Sequence, residues 1–505
     1  MKNTKLFMFA ACTLFLAACG KQTVKIMTPP DASNRVLFSA EQLQSTLDKA
    51  GYQVMMQQGD TTFSDPEIKT ILLTEVNDTT LKKEGFHITT TGNLTRVSGR
   101  DGSGVIYGSR ELIDRVNDSD GKLDFPEELK DGPEMVLRGA CVGLQKMTYL
   151  PGHGVYEYPY TPESFPWFYD KEQWIKYLDM LVANRMNSLY LWNGHPFASL
   201  VKLEDYPFAL EVDEETFKKN EEMFSFLTEE ADKRGIFVIQ MFYNIILSKP
   251  FAEHYGLKTQ DRNRPITPLI ADYTRKSIAA FIEKYPNVGL LVCLGEAMCT
   301  VEDDVEWFTK TIIPGVKDGL QALGRTDEPP LLLRAHDTDC KLVMDAALPI
   351  YKNLYTMHKY NGESLTTYEP RGPWSKIHTD LSSLGSIHIS NVHILANLEP
   401  FRWGSPDFVQ KAVQAMHNVH GANALHLYPQ SSYWDWPYTA DKLPNGEREF
   451  QLDRDWIWYQ TWGRYAWNSH RDRADEIGYW NHQLGQFYGT SDENAGNIRI
   501  AYEES

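Results

Sequence analysis

Glu296 and Glu399 each close an apolar run. VGLLVCLGEAM (288–298) is nearly all apolar up to Gly295 and then presents Glu296; HILANLEPFRW (393–403) does the same with Glu399. A carboxylate at the end of a buried strand is costly unless it is paired or used. Two of them facing one cavity can divide the work on a single glycosidic bond. One carboxyl, its pKa raised by partial burial, protonates the leaving oxygen, while the other attacks or activates water. Glu363, just past the run LYTMHKY (354–360), is a third acidic candidate. A single glutamate in such a place serves as readily in a salt bridge or a helix cap, so it is the pairing that points to catalysis.

The other apolar runs supply binding candidates. MVLRGACV (135–142) carries Arg138. SLYLWN (188–193) ends on Asn193, with His195 close behind, and IFVIQMFYN (236–244) ends on Asn244. PLLLRAHD (330–337) presents Arg334, His336 and Asp337. LYTMHKY contains His358 and Lys359, and Arg402 follows Glu399. From these, Arg138, Asn193, His195, Asn244, His336, Asp337, His358, Lys359 and Arg402 are the expected substrate contacts. Arg138, Lys359 and Arg402 are cations able to grip a carboxylate or sulfate, or to balance the glutamates. Asp337 also stands where it can cap the helix that follows. The irregular stretch YPQSSYWDWPYTAD offers Tyr433 and Trp434 as flat faces for sugar rings. No spacing of the H-E-x-x-H kind is present, so no metal and no other cofactor are expected. No G-x-S-x-G elbow is present either, which disfavours a serine hydrolase.

Such residues need a scaffold that brings strand ends together. From about residue 135, eight near-continuous apolar runs alternate with amphipathic helices such as KEQWIKYLDMLVANRM and SPDFVQKAVQAMHNVHG. That pattern predicts a parallel sheet, and eight strands favour a closed (β/α)8 TIM barrel over an open doubly wound sheet. In such a barrel, chemistry sits at the C-terminal strand ends. Residues 34–130 read as a separate small α/β domain, with a GN turn at Gly92-Asn93. The glycines at 102, 104 and 108 lack the spacing of a dinucleotide fingerprint. The expected layout is therefore residues 1–19 leader, 20–33 tether, 34–130 α/β domain, 135–470 barrel and 471–505 the start of a C-terminal helical segment.

The net charge of −18 argues against a nucleic-acid partner. The 13 Trp and 26 Tyr suit sugar binding, though a large core uses them equally well. The leader has a basic start (MKNTK), an apolar stretch too short to span a bilayer, and the end LAACG. This resembles a bacterial lipobox, which would make Cys19 the lipidated N-terminus and anchor the protein to a membrane of the cell envelope. Cys141, Cys293, Cys299 and Cys340 fall in or beside apolar runs and read as small buried hydrophobes.

Three stretches carry a family resemblance: GFHI…VSGRDGSGVIYGSRELID, LRGACVG, and WIKYLDMLVANRMNSLYLWN, with GE after the fourth run. They resemble the family 67 α-glucuronidases and relatives, whose N-terminal domain is shared with family 20 hexosaminidases. The resemblance implies an inverting glycosidase with Glu296 as acid and Glu399 as a base. The aspartate that family 67 places after strand six has no match beyond Glu363. Family 20 enzymes pair Asp with Glu after strand four, where this chain has Gly295-Glu296. The expectation is a glycoside hydrolase acting on an oligo- or polysaccharide, uronic acid among its sugars. The rivals are a catalytically inactive glycan-binding lipoprotein and a barrel polysaccharide lyase.

Overall fold

The computed structural model describes residues 21–63, 65–144, 159–243, 246–295, 298–363, 365–392, 403–428 and 437–505, with backbone alone at 363 and 439–441. The first unit is a six-stranded sheet of order β2-β1-β3-β5-β4-β6. Its elements are β1 (Thr23–Thr28), α1 (Asn34–Lys49), β2 (Gln53–Gln58), β3 (Lys69–Glu75), β4 (Phe86–Thr91), β5 (Leu94–Gly99), α2 (Gly102–Asp118) and β6 (Glu128–Asp131). Alternation sends Val24, Ile26, Ile71, Leu73, Ile88 and Val97 into one core with Leu43 and Leu47 of α1 and Leu112 of α2. Each such side chain contributes about 1.5–3 kcal/mol by leaving water. The stretch expected to be a tether (20–33) is therefore corrected: Thr23–Thr28 is a central strand, paired in parallel with both β2 and β3. The glycines of α2 have a packing role. A side chain on Gly104 would meet the Gly85 carbonyl at 2.3 Å, and one on Gly108 would meet Val97 at 2.5 Å.

The second unit is a closed barrel of eight parallel strands in the order β10-β11-β12-β13-β14-β7-β8-β9. Along the chain its strands and main helices are β7 (Leu137–Gly143), α3 (Lys171–Ala183), β8 (Ser188–Trp192), α4 (Phe197–Leu200), α5 (Glu214–Lys233), β9 (Phe237–Phe242), α6 (Lys249–His254), α7 (Pro268–Lys284), β10 (Val288–Val292), α8 (Val301–Trp307), α9 (Ile313–Ala322), β11 (Leu331–Arg334), α10 (Cys340–Ala347), β12 (Leu354–Glu363), α11 (Pro373–Ser382), β13 (Ile387–Val392), α12 (Pro406–Asn418) and β14 (Ala424–Leu427). A short hairpin, β15 (Tyr438–Lys442) with β16 (Arg448–Phe450), leads to α13 (Gln451–Arg454), α14 (Trp456–Trp467), α15 (Arg473–Tyr488) and α16 (Asp492–Glu504). The architecture is thus the expected one, a (β/α)8 barrel preceded by a small α/β domain.

Strand alternation splits the barrel's apolar residues into two sets. Tyr190, Trp192, Ile239, Met241, Leu291, Cys293, Leu332, Tyr355, Met357 and Ile389 fill the interior as a cluster of their own. Leu189, Leu191, Val238, Leu290, Leu331 and Leu425 face the helices. Two boundaries differ from the sequence reading. The seventh strand is Ile387–Val392, ahead of the run beginning at His393. The sixth strand extends through Glu363, which therefore ends a strand and does not trail it.

The two units lock together at the bottom of the barrel. Arg138, second residue of β7, is fully buried and donates to Glu84 of the first unit at 2.7 Å. It also donates to the carbonyls of Arg185 (2.7 Å) and Met135 (2.6 Å), and lies against the rings of Tyr107 and Trp467. Asn187 binds the same Glu84 carboxylate at 2.9 Å, and Arg35 reaches Asp232 of α5 at 2.7 Å.

Candidate functional site

The C-terminal ends of the barrel strands converge on an aromatic and cationic surface. Trp192 ends β8, and its indole meets Tyr243 and Tyr428 edge-on, with ring centres 6.3 and 5.6 Å away. Arg334 ends β11. Its guanidinium lies over the Trp192 ring at 5.1 Å and reaches the Cys293 sulfur at 3.8 Å. One level deeper, His426 stacks on Tyr190 with centres 3.6 Å apart. On β12, Tyr355 and Met357 point inward, so alternation turns Lys359 to the same side. In the ladder, Arg334 stands beside Met357, and the Ala335 amide donates to the Met357 carbonyl at 2.8 Å. His336 is thus carried to the level of Lys359.

The residue before Glu296 is held on three sides. The Gly295 amide donates to the Thr338 hydroxyl at 3.0 Å, and the Gly295 carbonyl accepts from Arg262 at 2.6 Å. A Cβ on Gly295 would fall 1.9 Å from the Asp337 carbonyl oxygen, which no rearrangement of a side chain could relieve. Asp337 itself has φ +53°, a left-handed conformation unusual for a residue other than glycine. The connections leaving the fourth and fifth strands are therefore pressed backbone to backbone. That contact explains why glycine precedes the proposed acid.

The structure sorts the expected site residues. Arg138 is corrected outright: it sits at the opposite, N-terminal end of its strand and is consumed by Glu84. Asn193 is buried, donates to the Leu144 carbonyl (3.1 Å) and accepts from the His195 amide (2.9 Å), bracing two strand ends. His195 turns into the helix layer, where its ring meets the Tyr273 hydroxyl of α7 at 3.3 Å. Burial lowers its pKa to about 4, so it is neutral. His358 faces outward, toward Trp374 (5.6 Å) and His378 (5.8 Å) of α11. Asp337 is exposed and does not cap the next helix; Asp339 does, accepting from the Leu342 amide. His336 and Lys359 stay at the mouth. Glu296, Glu399, Asn244, Arg402, Tyr433, Trp434 and Cys19 lie outside the described residues, as does the Glu363 side chain. Among the described residues, no group of three or more His, Cys, Asp or Glu could hold a metal ion.

Sequence reading passed over Arg334 as a contact, although alternation with Leu332 marks it as inward. It also missed a buried histidine chain behind β12. The Thr356 hydroxyl bonds His388 Nδ1 (3.0 Å), His388 Nε2 bonds His378 Nδ1 (2.8 Å), and His378 Nε2 bonds the Tyr360 carbonyl (3.1 Å). The carbonyl can only accept, so His378 donates from Nε2 and His388 donates to His378. Both rings are then neutral, with one tautomer each. Burial lowers the His378 pKa to about 3 and holds that of His388 well below its ordinary value. The chain pins the strand that carries Lys359 and ends on Glu363.

A barrel with this α/β domain before it is also the fold of family 20 hexosaminidases. The GH20 β-N-acetylhexosaminidase of Streptomyces coelicolor and a β-N-acetylhexosaminidase of Bacteroides fragilis each superpose with a TM-score of 0.55 at 12% identity. The first match covers 92% of both chains and the second 94% of both. At that identity the likeness is one of fold alone. Much nearer is a GH138 enzyme that targets pectin rhamnogalacturonan II. It is 73% identical over 95% of this chain, with a TM-score of 0.89. The chain spans 55% of that enzyme's length. The similar enzyme is thus of family 138, where the sequence reading had named family 67. No protein-family model matches the chain, and no curated protein matches it.

Proposed function

We propose that the protein is a glycoside hydrolase that acts on an acidic pectic polysaccharide of the rhamnogalacturonan II type. The observation that carries this reading is the 73% identity, over 95% of the chain, to the GH138 enzyme. The aromatic mouth, where Trp192 meets Tyr243 and Tyr428 edge-on, agrees with a sugar as substrate. Glu296 is the general acid. Its partner is Glu399 or Glu363, and the strand end at Glu363 brings that residue level with Glu399 as a candidate. An α-glucuronidase-like specificity is the narrower form of the same reading.

The test is incubation of the purified chain with rhamnogalacturonan II oligosaccharides, followed by mass spectrometry of the products. Release of a saturated monosaccharide supports the reading. An unsaturated, ultraviolet-absorbing product points to a lyase, and binding without any product points to a glycan-binding protein. We also propose that the protein is anchored to the bacterial envelope through lipid on Cys19. Metabolic labelling with a fatty acid, lost in Cys19→Ala, tests that anchor.

A further inference from the structure

We propose that Arg262 is a positioning residue for the general acid, holding the peptide unit that leads into Glu296; this rests on the hydrolase reading above. The fourth strand ends at Val292, so its ladder no longer serves the residues beyond. Gly295 is nonetheless buried, and a buried amide and carbonyl must both find partners. Side chains from the two neighbouring connections supply them. Thr338, after the fifth strand, accepts from the Gly295 amide at 3.0 Å. Arg262, between α6 and α7, donates from its guanidinium to the Gly295 carbonyl at 2.6 Å. That oxygen belongs to the peptide bond whose nitrogen is that of Glu296. A charged donor makes such a bond short and strong.

The turn that carries Arg262 grips both ends of the acid's segment. Asp261 closes this turn, accepting from the Asn263 amide through its carboxylate (3.0 Å) and from the Arg264 amide through its carbonyl (3.2 Å). Consecutive side chains then reach points four residues apart. Arg262 holds the Gly295 carbonyl, and the amide oxygen of Asn263 accepts from the Cys299 thiol at 3.3 Å. The Met298 amide donates to the Leu294 carbonyl at 3.0 Å, so the two flanks of Glu296 are also tied to each other. Arg262 is exposed, and among the described residues its guanidinium makes this one hydrogen bond and no ion pair. An arginine that served charge balance would face a carboxylate. This one is committed to a backbone oxygen, and what the bond fixes is where the next residue starts. A general acid depends on that kind of fixing, because it must stand within hydrogen-bond reach of the leaving oxygen.

The experiment compares wild type with Arg262→Gln, Arg262→Lys and Asn263→Ala on rhamnogalacturonan II oligosaccharides, with thermal melting to confirm that each variant is folded. Arg262→Gln should lower kcat by about tenfold or more while KM stays within about twofold, since the bond places a catalytic group and does not hold substrate. The loss should be smaller than that of a steric displacement, because Thr338 still holds the Gly295 amide. Arg262→Lys keeps a cationic donor and should recover most of the loss, and Asn263→Ala should show a smaller fall in kcat. A second readout does not depend on activity. Cys299 is exposed while Cys141, Cys293 and Cys340 are buried, so its alkylation rate, located by peptide mass spectrometry, reports on the far end of the segment. Arg262→Gln should raise that rate severalfold, and Arg262→Lys should leave it near wild type. Wild-type kcat in Arg262→Gln, a loss carried by KM, or Cys299 labelling unmoved by Arg262→Gln would each overturn the proposal. Failure of Arg262→Gln to fold would assign Arg262 to the fold at large and overturn it as well. If wild type cleaves none of the oligosaccharides, the hydrolase reading has failed together with this role; an active wild type matched by Arg262→Gln defeats this role alone.

Discussion

Arg138 of the barrel and Glu84 of the α/β domain meet at 2.7 Å, with side-chain exposures of 0% and 8%. This is a buried ion pair at the end of the barrel opposite the site. Its other donors and acceptors are also satisfied: Asn187 binds Glu84, and two backbone carbonyls accept from Arg138. Removing one partner leaves the other charged and dry. Glu84→Gln should therefore destabilise the fold by roughly 3–5 kcal/mol. Because the pair lies far from the mouth, kcat/KM measured well below the melting temperature should stay within about twofold, inside the range of remote substitutions. Denaturant titration checks the first expectation. A fall in activity on folded protein would contradict the second.

The backbone contact between Gly295 and Asp337 gives a sharper prediction for the site. A methyl group at residue 295 would overlap the Asp337 carbonyl, so one of the two connections must move. Gly295→Ala should lower kcat by roughly 100-fold, the scale of a displacement of about 1 Å at a catalytic group. It should also lower the melting temperature. Thr338→Val removes the hydroxyl that accepts from the Gly295 amide and should give a smaller effect of the same kind. Steady-state kinetics on folded protein is the measurement, and unchanged kcat in Gly295→Ala would refute the link between this contact and catalysis.

What the sequence showed and hid follows from strand geometry. Seven barrel strands were legible because both their faces are buried, so VGLLV or LLLR reads as a continuous apolar run. The seventh strand, IHISNV, was not, because His388, Ser390 and Asn391 are polar residues buried within it. The first strand, TVKIMT, was hidden by its place beside the leader. Arg138, His195 and His358 miss the mouth for three different reasons: Arg138 stands at the N-terminal end of β7, His195 lies past the end of β8 and turns to Tyr273 of the helix layer, and His358 has the outward parity of β12. A shift of one residue moves His358 from inside to outside. The inward parity of Arg334 was available from Leu332 two residues earlier.

Asp304 sets an alkaline limit on stability. It lies in the first turn of α8, is 3% exposed, and its Oδ1 has no hydrogen-bond partner among the described residues. Burial, helped by the adjacent Asp303, raises its pKa from 3.8 to about 7. The folded state therefore holds a proton that the unfolded chain gives up near pH 4. The resulting stability is complete below that pH and is lost as pH rises through 7. The amount is roughly 1–3 kcal/mol once solvent screening is allowed for. Asp304→Asn imitates the protonated acid and should flatten the decline. Melting temperatures from pH 5 to 8.5 test this. Parallel curves for the two proteins would show that Asp304 is ionised in the fold throughout.

The division of labour among Glu296, Glu363 and Glu399 can be read from leaving groups. A general acid matters only where the departing oxygen needs a proton. Glu296→Gln should lower turnover of a natural glycosidic linkage by roughly 10²–10⁴-fold, the range of general acid catalysis. A nitrophenyl glycoside departs as a stable anion, so the same variant should lose far less on that substrate. The partner carboxylate acts on the anomeric carbon or its attacking water whatever the leaving group. Its loss should therefore be severe on both substrates. Comparing Glu363→Gln with Glu399→Gln on the two substrates then names the partner, since the residue that is only a neighbour should keep most of its activity on each. Should Glu296→Gln be equally impaired with both leaving groups, Glu296 is not the acid, and the carboxyl that protonates the oxygen must be one of the other two.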